Sequence, residues 1–156
     1  MKAYLKKLFT YNHWANTTTL QTLKSNNIEE GEAIKIFSHV INAQYIWFSR
    51  ITGNKGLHKP VWSIHSLSDI ASFLPENLTM WMKYIDLLSD EELKRIINYS
   101  NSEGHQFQNE VGDMLPHLVN HASYHRGQVA KLVRQTGFAP TNTDYITWCR
   151  TVEYKE

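Results

Sequence analysis

The chain has 156 residues, 42% of them hydrophobic, which suffices for one domain with its own core. Its 16 basic and 15 acidic side chains leave a formal net charge of +1 with no block of like charge, which excludes the basic face of a nucleic-acid binder. The single cysteine, Cys149, excludes an intramolecular disulfide framework and suits a reducing compartment.

No run approaches the length of a membrane span, and residues 1–7 lack the apolar core of a signal peptide. The expectation is a cytoplasmic protein that engages neither nucleic acid nor membrane. Residues 2–24 predict a first helix. Leu5, Leu8, Phe9, Trp14, Leu20 and Leu23 fit one stripe only loosely, and Thr17, Thr18 and Thr19 weaken it. Ser25, Asn26 and Asn27 stop it. Residues 30–52 predict a second helix, apolar on nearly all sides between residues 34 and 48, and so the most buried. Residues 53–56 end it, and a loop runs on through Pro60.

Ser66 to Asp69 opens a third helix reaching about Leu88, with a kink or restart expected at Pro75. Ser89, Asp90, Glu91 and Glu92 form a capping-box pattern before a short helical turn. Residues 96–109 read as a small hairpin or an irregular loop. Residues 109–136 predict the last long helix, stopped at Gly137 with Pro140 just beyond. The tail, residues 141–156, carries Asp144, Tyr145, Ile146 and Trp148. Four long amphipathic segments joined by short breaks predict an all-α protein, a four-helix bundle in a single domain over residues 1–156.

The 8 histidines carry the functional signal. His121 and His125 are four residues apart within the last predicted helix, so they share a face at about 5–6 Å between Cβ atoms. From there two imidazoles can reach one metal ion. The plain alternative is a chance pair of exposed or hydrogen-bonded histidines. His39 lies among Ile36, Ala43, Ile46 and Trp47. A lone histidine on an apolar face is more often a satisfied core residue than a ligand. Unpartnered burial is costly, however, and a shared ion would remove that cost for all three together.

His117 competes as a ligand, one turn before His121. Steps of four residues overshoot a turn by about 40°, so His117, His121 and His125 do not converge well. His39 from across the bundle is preferred. His13, His58, His65 and His105 read as surface or loop residues. Gln128 falls on the histidine stripe and could orient a ligand or a water. Arg126 points away from it, toward packing or an ion pair. Trp14, Trp47 and Tyr124 are expected in the core rather than around a pocket.

The run His-Ala-Ser-Tyr-His-Arg-Gly-Gln at 121–128 resembles the hallmark of the DinB-like, or DinB/YfiT-like, metalloenzyme family. The resemblance extends over nearly the whole chain. Tyr11 to Asn16 is similar to that family's first-helix pattern, His39 to Trp47 to its second helix, and Pro140 to Ile146 to its tail. It implies a four-helix bundle of up-down-down-up type with three histidine ligands, which map to His39, His121 and His125. It further implies one divalent ion (nickel, zinc, iron or manganese) and a homodimer. The family's characterised activities include thiol S-transfer with bacillithiol, mycothiol or glutathione, and a thiol-dependent maleylpyruvate isomerisation. The implied partners are therefore a small thiol and an electrophilic substrate.

Three neutral imidazoles leave the charge of a divalent ion uncancelled and coordination positions open. Such a site suits activation of a thiol or of a water. No catalytic side chain is evident in the sequence. Asp113 lies two turns before His121, and Asp144 and Tyr145 would have to fold back over the site. The expectation is a metal-dependent thiol S-transferase. A metal-dependent hydrolase and a non-catalytic metal-binding stress-response protein are the alternatives.

Overall fold

The computed structural model describes residues 1–101 and 103–152, and the end of the expected tail, residues 153–156, lies outside them. Four long helices account for most of these residues: α1 (Lys2–Ser25), α2 (Glu32–Thr52), α3 (Leu67–Leu87) and α5 (Val111–Gln135). Two short helices, α4 (Asp90–Lys94) and α6 (Tyr145–Cys149), and a 3-10 turn at Lys55–Leu57 complete the helical part. The chain is thus mostly helical, with one small sheet.

Side-chain chemistry explains where the helices hold and stop. The threonine run in α1 is helical, and the hydroxyls buried there find acceptors inside the helix: Thr19 Oγ1 donates to the Ala15 carbonyl and Thr22 Oγ1 to that of Thr18, each four residues back. At the start of α3, the Ser66 hydroxyl accepts from Asp69 N while Asp69 accepts from Ser66 N, a reciprocal capping box. Ser89 caps α4 by accepting from Glu92 N. α2 ends at Gly53, whose φ of 73° is the left-handed conformation that glycine adopts without cost.

Residues 96–110 form the hairpin rather than the irregular loop. β1 (Ile96–Ser100) pairs antiparallel with β2 (Gln106–Glu110), with Ile96 opposite Glu110 and Ser100 opposite Gln106. Only Ile97 is buried in it. The hairpin is pinned to α2 by Arg50, which donates to the Ser100 carbonyl at 2.9 Å and lies 4.7 Å from the Trp47 and Tyr99 rings.

Of the kink or restart expected at Pro75, the restart does not occur: α3 runs unbroken through it, with Leu74, Asn77 and Trp81 buried on either side. Residues 145–149 form α6, which no periodicity in five residues could announce. Tertiary contact holds it, through buried Trp148 and Cys149 and the Tyr145 ring edge-on to Tyr11 at 5.0 Å.

Packing closes a ring of long helices. α1 lies against α3 and α5, and α2 against α5 and α3. α2 buries 13 of its 21 residues, more than any other helix, as its all-round apolar surface demands. One apolar cluster gathers Phe9, Ile51, Trp81, Leu115 and Leu118, another Leu23, Phe37, Ile41, Ile70 and Val133. No described helix is long and apolar enough to cross a membrane.

Candidate metal centre

α2 and α5 are packed neighbours, and their contact brings His39 to His121 and His125 across 82 residues of sequence. The buried Phe37, Val40 and Ile41 fix the rotation of α2, as Leu118, Val119, Ala122 and Val129 fix that of α5. The three imidazoles are left half-buried, with their ligand atoms all within 4.8 Å of one another. His121 Nε2 lies 3.1 Å from His39 Nε2 and 3.1 Å from His125 Nε2. Two nitrogens bound to one ion at about 2.1 Å sit roughly 3.0–3.4 Å apart at angles between octahedral and tetrahedral, so the two spacings to His121 fit.

Proton placement supports the same arrangement. His39 Nδ1 is 3.2 Å from the Val61 carbonyl, which can only accept, so Nδ1 carries the proton and Nε2 the lone pair. His125 Nδ1 donates to Gln128 Oε1 at 2.7 Å with the same consequence. Two lone pairs then face His121 Nε2, and a single proton there could satisfy only one of them. A cation satisfies all three. These residues could therefore hold a divalent ion, and among the described residues the group consists of these three histidines alone.

Burial pushes the pKa of His121 down to about 3, with smaller contributions from His125, His39 and His117. Burial likewise lowers that of His39, opposed by the Val61 hydrogen bond and assisted by His125. Both groups stay in the neutral form that a metal requires. His121 Nδ1 is buried without a partner, so contact with neighbouring rings, not a hydrogen bond, orients this imidazole.

The loop before α3 supports His39. Asn42 Nδ2 donates to the carbonyls of Ser63 at 2.7 Å and Val61 at 3.3 Å. His65 Nε2 donates to Asn42 Oδ1 at 2.7 Å, and Ser38 Oγ accepts from His65 N at 3.0 Å. This clasp holds Val61 in place as the His39 acceptor and stacks Trp62 on His39, ring centroids 4.3 Å apart. His65 does lie in a loop, one of the two places expected of it, but sequence reasoning missed the clasp it makes there. The signal was present as Ser38 and Asn42, two polar residues four apart in an apolar helix, both fully buried.

Other candidates fall elsewhere. His117 is exposed, 5.6 Å from His121 between ring centroids, and outside the cluster. Asp144 and Tyr145 do not fold over the histidines: Asp144 lines a cavity beside Arg126, and Tyr145 packs on Tyr11. Gln128 orients His125, as its place on the stripe suggested. Arg126 packs, but makes no ion pair among the described residues; it donates to Asn12, Asn16, Tyr11 and Ser123. His58 and His105 are exposed, whereas His13 is half-buried, with Nδ1 unpartnered. Trp14 and Trp47 pack against the core, and Tyr124 is 66% exposed beside His125.

The sequence model of the DinB family matches residues 1–153. Protein DinB of Bacillus subtilis (strain 168) is 29% identical over 160 residues, covering 93% of this chain and 93% of that protein. The chain belongs to the DinB family.

Proposed function

We propose that this protein is a divalent-metal-dependent thiol S-transferase, in which His39, His121 and His125 hold one ion and a small thiol is activated beside it. The reading takes the whole chain as a single four-helix bundle of up-down-down-up type. The observation that carries it is the convergence of three imidazoles, with His39 Nε2 and His125 Nε2 each 3.1 Å from His121 Nε2 and no carboxylate among them. A bound nickel, zinc, iron or manganese ion would supply uncancelled positive charge there, which favours a thiolate over a thiol.

The chain's own residues prepare the site. Val61 and Gln128 hold two rings in the tautomer that turns Nε2 inward. Trp62 and Tyr124, 54% and 66% exposed, lie against His39 and His125 and offer aromatic surface to an electrophile. In the transfer, the thiol proton passes to solvent, sulfur bonds to the electrophilic carbon and the leaving group departs with the bonding pair. The reading includes a cytoplasmic homodimer that binds neither nucleic acid nor membrane; the near-neutral charge supports the lack of nucleic-acid binding, the lone cysteine suits a reducing compartment, and the dimer rests on the family resemblance.

Cobalt substitution tests it, because sulfur ligation adds a charge-transfer band in the near ultraviolet. The band should appear with at least one of bacillithiol, glutathione, cysteine and coenzyme A. Its absence with all four, in protein confirmed to carry cobalt, would favour hydrolysis or a non-catalytic stress-response role instead.

A further inference from the structure

A second polar site lies where α5 meets α1 and residues 140–144, and it is centred on Arg126. This side chain is only 2% exposed. Its Nη1 donates to Asn12 Oδ1 and Asn16 Oδ1, each at 2.8 Å, and its Nη2 to Ser123 Oγ at 2.8 Å and Tyr11 OH at 3.2 Å. All four acceptors are neutral. Nε is buried without a partner, and no described carboxylate forms an ion pair with the guanidinium. Arginine remains protonated in proteins, so this is a buried cation without a counter-ion.

A cavity of about 370 Å³ adjoins it, lined by Ser123, Arg126, Gly127, Arg134, Thr143 and Asp144 among others. That volume suits a small ligand. Two guanidinium groups against the single carboxylate of Asp144 leave the lining net positive. Ser123 accepts from Arg126 and so keeps its own hydroxyl proton to donate. Arg134 is exposed and makes no ion pair among the described residues.

Gly127 adds an independent observation. Glycine weakens a helix interior relative to alanine, and here neither backbone nor packing calls for it. Its φ is not positive, and a Cβ built on it would meet nothing within 4 Å. What the missing side chain leaves is space on the cavity wall.

We propose that this cavity binds a small oxyanion, a carboxylate or a phosphate, whose charge is balanced by Arg126 and Arg134 and whose oxygens accept from Ser123 and Arg134. The site is separate from the histidines and stands whether or not they support catalysis. Tyr11 links it to the tail, since its hydroxyl accepts from Arg126 and donates to the Thr143 carbonyl at 2.9 Å. The occupied site therefore joins α1, α5 and residues 140–144 around one charge.

The test is a titration of the metal-loaded full chain with inorganic phosphate and, separately, with succinate, at ionic strength held constant with chloride. Amide shifts of Ser123, Gly127, Asn142 and Thr143 are followed by NMR. Saturable shifts in the millimolar range or below are expected for at least one anion, and the tighter of the two identifies the headgroup. Arg134→Gln should weaken binding roughly tenfold or more, since a charged donor is lost. Gly127→Leu should fold normally and abolish binding by filling the cavity. His121→Ala should leave binding intact, which separates this site from an anion held on the metal. No saturable shift with either anion, binding lost with His121→Ala, or wild-type binding by both Arg134→Gln and Gly127→Leu would overturn the proposal.

Discussion

His121 stands between two imidazoles, each fixed by a single acceptor, and in the proposed centre those acceptors would tune the affinity for the ion. Acceptors behind metal-bound histidines typically contribute about 10–100-fold to affinity. Gln128→Leu removes the His125 partner without touching a nitrogen that faces the ion. Chelator competition should show metal affinity falling roughly 10–100-fold, and unchanged affinity would make the Gln128 contact incidental. The HxxxH pair and Gln128 were legible because helical periodicity alone places residues 121, 125 and 128 together. His39 was legible from its odd place on an apolar face. The Ser38–Asn42–His65 clasp was not, because its partner arrives on a loop whose path depends on the finished packing. For Arg126 the sequence indicates packing or an ion pair away from the histidine stripe, but nothing local shows that its partners are Asn12 and Asn16 of α1.

Among the elements, those with local chemical signals were read closely and those held by tertiary contact were not. The Ser66 box marks the start of α3, and Gly53 and Gly137 mark the ends of α2 and α5. Ser66→Ala should cost about 1 kcal/mol of stability by urea denaturation, the usual loss for a serine cap, and a value near zero would show that packing alone sets the boundary. Gly127→Ala should act in the opposite direction. The new methyl meets open space, so α5 should gain about 0.5–1 kcal/mol, and a loss instead would reveal a packing constraint on that glycine. The continuity of α3 through Pro75 and the existence of α6 escaped the sequence for one reason. In both, neighbours such as Trp81 and Trp148, buried by distant segments, outweigh local preference.

At the scale of the whole molecule, four long helices were countable from periodicity, but which of them touch was not. The pairing of α2 with α5 is what makes three scattered histidines one site. An ion there ties the two helices in the native state only, so it should stabilise the fold by mass action. Free metal at a hundred times Kd adds about 2.7 kcal/mol, or roughly 5–10 °C in Tm. A chelator should reverse that gain, and an unchanged Tm after confirmed metal removal would break the link. Acid should act on the metal-free protein as well. Burial, the largest cause in each case, lowers the pKa of His13, His39, His65 and His121 below 6.5. Between those lowered values and 6.5, the unfolded chain binds more protons than the folded one, so stability falls as pH drops. Tm should decline from pH 7 toward pH 4, and a flat or rising profile would contradict the burial of these rings. The central claim is that His39, His121 and His125 hold one ion, and metal content per chain tests it most directly. After equilibration with zinc or nickel and removal of free ion, the unaltered chain and His117→Ala should each retain one equivalent, and His121→Ala should retain none. Equal loss from His117→Ala and His121→Ala, or full retention by His121→Ala, would contradict the account.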